Sequence, residues 1–252
     1  MTLWITTLCA ALVWIGQPAS QPSPDRAAFD ARLAAVDEAM GKIQDVRAEY
    51  KQTRRTPLLK KPLVSRGTLV TKGQSARWET KSPRASTMLV GPESVELLFP
   101  DDKLIEIYPA GDKGRDLAGA PLPRLGLLKS RFEIEPGSLK DLGASETNPK
   151  LLAVRLIPKS EELKAHVKSV EVLIDESVPA ATKLILIDAD GERTEVDFSG
   201  VKLNTGVTDK ELVLEHPVGF KVSRPLEGGH GTSPPVPAAD GTSAEESSPA
   251  PR

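Results

Sequence analysis

Cysteine is almost missing from this chain: the one residue, Cys9, lies inside an apolar N-terminal run. A body without cysteine cannot be stapled by disulfides and must rest on its core. Aromatic residues make up only 4% of the chain, too few for a stacking surface that grips bases or sugars. The formal net charge is −2, so no cationic field draws nucleic acid. The three histidines, His166, His216 and His230, are far apart and share no ligand spacing, which argues against a metal centre. Asp188-Ala189-Asp190-Gly191 opens like a calcium loop but lacks the later acids and the closing Glu; it reads as a hairpin turn. No Gly-x-Ser-x-Gly elbow, phosphate loop or Cys-x-x-Cys pair occurs. No catalytic constellation and no cofactor emerges.

Several features are present. Leu3 to Ile15 is apolar and uncharged, and small and polar residues follow from Gly16 to Ser20. This reads as a signal peptide over residues 1–20, cut near Pro18 to Gln21, and too short for a comfortable membrane span. Leu8 stands before Cys9 where a lipidation signal wants a small residue, so Cys9 is not read as an acylation site. At the other end, residues 226–252 collapse into Gly, Ser, Pro, Ala and Glu and read as a disordered tail.

The body, residues 21–225, begins with a helix. Ser23-Pro24-Asp25 supplies a capping hydroxyl, a proline for the first turn and an acid at the positive end of the dipole. Phe29, Leu33, Val36, Met40, Ile43 and Val46 then recur at three and four, giving one inward stripe. From Val46 the period drops to two. Short alternating segments follow at Val46–Lys51, Gly67–Thr71, Arg77–Thr80, Ser86–Val90, Val95–Phe99 and Leu104–Tyr108, with Gly, Pro or Asp between them. Such close spacing predicts hairpins and an antiparallel sheet. Residues 110–150 read as short helices with mobile joints around a leucine cluster, with an ordinary surface excursion packed on the sheet as the alternative. Strands resume at Leu151–Ile157, Val167–Ile174, Ala181–Ile187, Arg193–Ser199 and Glu211–Leu214. A sheet this apolar curls around a filled core or around a guest. Arg54-Arg55 and Lys60-Lys61 cluster at the first turn; they read as a solvated hairpin, with a transporter or anionic lipid heads as the alternative.

The ordered set of motifs carries a resemblance. A helix precedes Tyr50-Lys51-Gln52, then come Gly67-Thr68-Leu69, Arg77-Trp78-Glu79 and Leu97-Leu98-Phe99-Pro100. Leu156-Ile157-Pro158, Val172-Leu173-Ile174-Asp175, Asp188-Ala189-Asp190-Gly191, Val196-Asp197-Phe198 and Pro217-Val218-Gly219-Phe220 follow in order. From Ala28 to Val222 the chain resembles the LolA-type family of periplasmic carriers of outer-membrane lipoproteins. The resemblance implies an α+β fold: an incomplete, half-open, strongly curved antiparallel β-barrel with an N-terminal helix and a helical lid. It implies a periplasmic, monomeric carrier and no enzyme. Its partners would be acylated lipoproteins, an inner-membrane lipoprotein-releasing ABC transporter and an outer-membrane receptor. A related half-barrel carrying glycolipid or free lipid, and an envelope-stress sensor domain of the same fold, are the alternatives.

For such a carrier, alternation supplies an acyl-chain cavity from Leu69, Trp78, Leu97, Phe99, Ile105, Ile107, Leu156, Val172, Ile174, Leu184, Leu186, Val196 and Phe198. Each of these would also suit the plain core of any sheet-and-helix domain. Leu122, Leu125, Leu127, Leu128 and Phe132 are the expected lid, swinging on Pro121, Pro123 and Gly126. The family's lid latch is a basic residue just after the Gly-x-Leu strand. Lys72 stands in that neighbourhood, with a flexible ammonium in place of a rigid guanidinium fork.

Overall fold

A computed structural model describes residues 24–109 and 125–225. The expected signal peptide over 1–20, the lid residue Leu122 with Pro121 and Pro123, and the tail over 226–252 lie outside them.

Helix α1 runs over Pro24–Gly41, with proline in the position where its missing N–H costs nothing and Asp25 in the first turn. Phe29, Leu33, Val36 and Met40 form its buried stripe. The helix stops at Gly41, short of the expected Ile43 and Val46. Val46 is instead a fully buried residue of the first strand.

Six strands follow: β1 Asp45–Arg55, β2 Leu63–Lys72, β3 Ser75–Ser82, β4 Ser86–Val90, β5 Ser94–Phe99 and β6 Leu104–Pro109. A single helical turn, α2 (Leu125–Leu128), leads to β7 (Phe132–Pro136) and β8 (Leu151–Pro158). A second short turn, α3 (Glu161–Lys164), precedes β9 (Val167–Asp175), β10 (Ala180–Asp188), β11 (Arg193–Leu203) and β12 (Lys221–Ser223). All twelve strands belong to one sheet in the order β12-β6-β5-β4-β3-β2-β1-β11-β10-β9-β8-β7. The pairings are antiparallel except β12 with β6, and the end strands β12 and β7 do not meet. The sheet is therefore open, with an N-terminal helix and few others, as expected.

Three local expectations give way. Phe132 lies in a strand rather than a helical lid, because Phe132-Glu133-Ile134-Glu135 alternates and pairs along β8. Glu211–Leu214 is not a strand; a 3-10 turn occupies Asp209–Leu212, with Glu211 folded back onto the Thr208 N–H in a capping box. The short parallel strand β12 has no counterpart among the expected strands.

The curl is visible in three rings. Strands lie about 4.8 Å apart, so a flat sheet would hold β3 and β11, three places apart in the order, about 14 Å from each other. Yet Trp78 of β3 and Phe198 of β11 bring their ring centroids to 6.0 Å, and Tyr50 of β1 stands edge-on to Trp78 at 5.0 Å. The sheet folds its own apolar face inward here. Gly67 makes room for this. It sits opposite Tyr50, where a Cβ would lie 2.8 Å from the Tyr50 ring and collide with the Glu79 carbonyl.

The convex face has its own cover. Leu142, Ala153, Leu173 and Ile185 form a small outer cluster under residues 137–150. The C-terminal segment crosses the other half: Arg77 donates to the carbonyls of Glu211 and Val213, and His216 meets Glu96 at 2.7 Å. Buried Asp45 anchors that segment, accepting from the Thr205 N–H at 2.6 Å and hydroxyl at 2.8 Å, and from the Gly206 and Val207 N–H groups. Burial opposes the Asp45 charge, but these donors outweigh it and hold the carboxyl below its usual range.

Both contacts can be tested by substitution. Gly67→Ala should cost about 1–3 kcal/mol in denaturant unfolding, since backbone must move to admit the methyl. Asp45 stabilises fully above its unfolded pKa of about 3.9, and that contribution fades as pH falls through the lower folded value. Asp45→Asn should therefore lower the neutral-pH Tm and flatten the loss of stability seen below about pH 4, both read by thermal melts from pH 2 to 7.

Candidate functional site

Strand register sorts the side chains by face. Opposed residues of antiparallel neighbours share a face, so Ala48, Leu69, Trp78, Met88, Leu97 and Glu106 lie on one. The same rule carries that face through Tyr50, Phe198, Val196, Leu184, Val172 and Val154 to β8. This is the concave face, since it bears the Trp78–Phe198 contact. Of the expected cavity residues, Leu69, Trp78, Leu97, Phe99, Leu156, Val172, Ile174, Leu184, Leu186, Val196 and Phe198 meet there, in two adjoining clusters that share Leu184.

Ile105 and Ile107 do not. Ile105 opposes Leu98, and Ile107 opposes Glu96, on the convex face. Ile105 is nonetheless fully buried, beside Val222 of β12. In β6 the inward positions fall to Leu104, Glu106 and Tyr108. The alternation fixes two faces but not which of them is covered, and the C-terminal segment covers the outer one.

The clusters differ in their cover. α1 and α2 lie over the half built from β7 to β10: Phe29, Leu33, Val36 and Met40 of the first join Leu125 and Leu128 of the second. Leu125, Leu128 and Phe132 are nearly wholly buried. Leu127 belongs to α2, but its side chain is outside the described residues. The other half, from β1 to β6 and β11, closes on itself around Trp78. Arg26 donates to the Ile134 carbonyl, and Arg32 to those of Pro149 and Leu151 and to Glu176, so α1 is clipped to β7 and β8.

α2 has a different fastening. The Gly126 N–H donates to Asp37 Oδ1 of α1 at 2.9 Å. Gly126 comes so near that a Cβ would stand 2.5 Å from Asp37 Oδ2. Lys72, the expected latch, is elsewhere: its Nζ lies 2.7 Å from Asp209 on the convex side. Thr71 takes the inward position at the end of β2, so Lys72 points out and cannot reach α2. Sequence reasoning misses Asp37, because an acid on a solvated helix face looks like any other.

Among the described residues no open oily hollow is present. Two clefts lie at the seams of α1. One, about 480 Å³, is bordered by Arg26, Asp30, Leu33, Lys129, Phe132 and Glu133. The other, about 230 Å³, is bordered by Leu33, Asp37, Leu125 and Gly126. The apolar surface between sheet and helices is filled by side chains.

Polar groups on the concave face are paired. Tyr50 Oη and Thr80 Oγ1 are 2.7 Å apart, and Tyr108 Oη donates to Glu106 at 2.8 Å. Burial, the Glu106 hydrogen bond and its charge push the Tyr108 phenol up to about 12. The buried side-chain polar atom without a partner among the described residues, Ser169 Oγ, faces outward opposite Ile187. The concave face thus holds no group, among the described residues, that asks for a polar ligand. Among the described residues no three His, Cys, Asp or Glu side chains stand close enough to share a metal ion. No helix among them is long and apolar enough to cross a membrane.

A curled, open sheet with a helix on its concave side has known relatives. The family model "Outer membrane lipoprotein carrier protein LolA" matches residues 41–213. The chain belongs to the LolA family. The match spans β1 to the 3-10 turn and leaves most of α1 and all of β12 outside it. No curated protein matches the chain. An uncharacterized conserved protein from Thermus thermophilus is similar in structure, with 13% identity, 78% of this chain and 99% of that chain covered, and a TM-score of 0.47. A LolA superfamily protein from Nitrosomonas europaea gives 13%, 74% and 97%, at 0.42. The Mycobacterium tuberculosis lipoprotein LppX gives 11%, 72% and 98%, at 0.43. The family assignment rests on the sequence match.

If Asp37 is the clasp of α2, Asp37→Asn should weaken it by about 1 kcal/mol. Binding of a fluorescent fatty-acyl probe to the apolar face should then tighten about five-fold, measured by titration at fixed protein.

Proposed function

We propose that this LolA-family protein is a carrier that shields the acyl chains of lipoproteins against its concave face. It would work in the periplasm, between a releasing ABC transporter of the inner membrane and a receptor at the outer membrane. The observation that carries this reading is a wide apolar concave surface whose cover is α1 together with a single helical turn, α2. The lining proposed for the acyl chains is the part of the expected set that meets on the concave face: Leu69, Trp78, Leu97, Phe99, Leu156, Val172, Ile174, Leu184, Leu186, Val196 and Phe198.

The energetics favour exchange. Withdrawing two leucines costs about 3–6 kcal/mol at about 1.5–3 kcal/mol each, and breaking the Asp37–Gly126 bond costs about 1 more. One acyl chain of about sixteen carbons returns about 12 kcal/mol at about 0.8 per methylene. Guest binding therefore outweighs lid displacement, while the empty carrier stays closed and keeps its oily surface from water. The guest meets aliphatic and aromatic walls with their polar atoms already satisfied, which suits a featureless hydrocarbon and gives little selection among acyl chains.

Depleting the protein should strand lipoproteins in the inner membrane, read by fractionating the envelope and blotting for lipoproteins of both membranes. Normal sorting after depletion would rule the reading out. Mass spectrometry of lipid that co-elutes with the native protein separates a lipoprotein carrier from a carrier of glycolipid or free lipid.

A further inference from the structure

We propose that the tip of the β1–β2 hairpin, residues 56–62, docks this protein onto an anionic lipid bilayer. At the tip, Leu58 is 88% exposed and Leu59 44%. Paired leucines held out in water have no use in the core. The tip is nonetheless an ordered turn: the Leu59 N–H donates to the Thr56 carbonyl at 3.2 Å and the Leu58 N–H to the Thr56 hydroxyl. Pro57 and Pro62 stiffen its two arms.

Charge selects the occupant. Lower on the hairpin, Arg54 is engaged by Glu192 and Arg55 by Glu195. Lys60 and Lys61 follow the leucines directly, are exposed, and make no ion pair among the described residues. The two arginines next to the tip are thus neutralised, while the two lysines at the tip carry no counter-charge among the described residues. An apolar apex with a collar of unpaired ammonium groups matches the boundary of a bilayer, where hydrocarbon lies beneath a sheet of phosphates. An apolar groove on a protein would accept the leucines but leave both lysines without a counter-charge.

Position adds a second argument. Register places the tip on one rim of the sheet with the start of β11, the end of β10, the end of β8 and the start of β7. α2 joins β7 at that rim. Docking by the tip turns the rim that carries α2 toward the lipid surface. This inference does not depend on the carrier reading, since a sensor or a lipid binder of this fold would dock the same way.

The test places a fluorophore on the tip of the full chain. Leu59→Cys in a Cys9→Ser background is labelled with an environment-sensitive dye, so the signal reports the tip whatever the N-terminal apolar run does. With vesicles of phosphatidylglycerol and phosphatidylethanolamine, the dye should brighten and shift to the blue, and added salt should reverse it. Pure phosphatidylcholine vesicles should give little change. Adding Lys60→Gln and Lys61→Gln should raise the lipid concentration at midpoint about thirty-fold, at about 1 kcal/mol per lysine. Thermal melts check that these exposed substitutions leave the fold intact. No dye response to anionic vesicles, or an equal response in the double-glutamine variant, overturns the proposal. So does an equal response to phosphatidylcholine. Sorting of lipoproteins can fail or persist independently of every one of these outcomes.

Discussion

A single helix cannot cover the apolar face of a twelve-stranded sheet. That constraint organises the molecule. α1 spans the half built on β7 to β10, and the remaining half must bend until its own side chains meet. The contact of Trp78 with Tyr50 and Phe198 is where it does so, and Gly67 is the place left empty for it. Covering that remains incomplete falls to α2, four residues long, whose fastenings among the described residues include two buried leucines and the Gly126–Asp37 hydrogen bond. The shortest part of the cover lies over the cluster built on β7 to β10, and that placement underlies the functional reading.

Both faces of the sheet are served, by unequal means. The concave side is closed by hydrocarbon contact, which is non-directional and tolerates exchange of one apolar partner for another. The convex side, besides its small apolar cluster, is fastened by directed bonds: Asp45 to the backbone at 205–207, Arg77 to the carbonyls at 211 and 213, Lys72 to Asp209, and His216 to Glu96. Lys183, pinned between Glu195 and Asp197, adds to the same side. Such bonds need fixed geometry.

Much of this architecture is legible in the spacing of residues. The 3.6-residue stripe of α1 and the two-residue alternation of the strands yield the helix, the hairpins and the open antiparallel sheet, because burial on one side writes itself into spacing. The differences have a common origin. An inward Ile105 and Ile107 would follow if apolar residues marked only the concave face, yet a sheet covered on both sides hides apolar residues on each. A helical Phe132 would follow from the leucine cluster before it, although Phe132-Glu133-Ile134-Glu135 alternates plainly. A latch at Lys72 rests on likeness alone, and one step of strand parity turns that side chain outward. Nothing local marks Asp37 as the residue that meets Gly126, since that bond spans 89 positions.

On the proposed function, the leucines of α2 and a guest acyl chain compete for the same surface and would occupy it in turn. The most direct measurement of that competition is thiol labelling of Leu128→Cys in a Cys9→Ser background, with and without saturating acylated peptide. The account predicts slow labelling in the empty protein, where this side chain is buried, and labelling faster by at least about ten-fold once acyl chains are bound. A thiol that stays equally protected in the loaded protein would show that the cover does not yield, and would contradict the account.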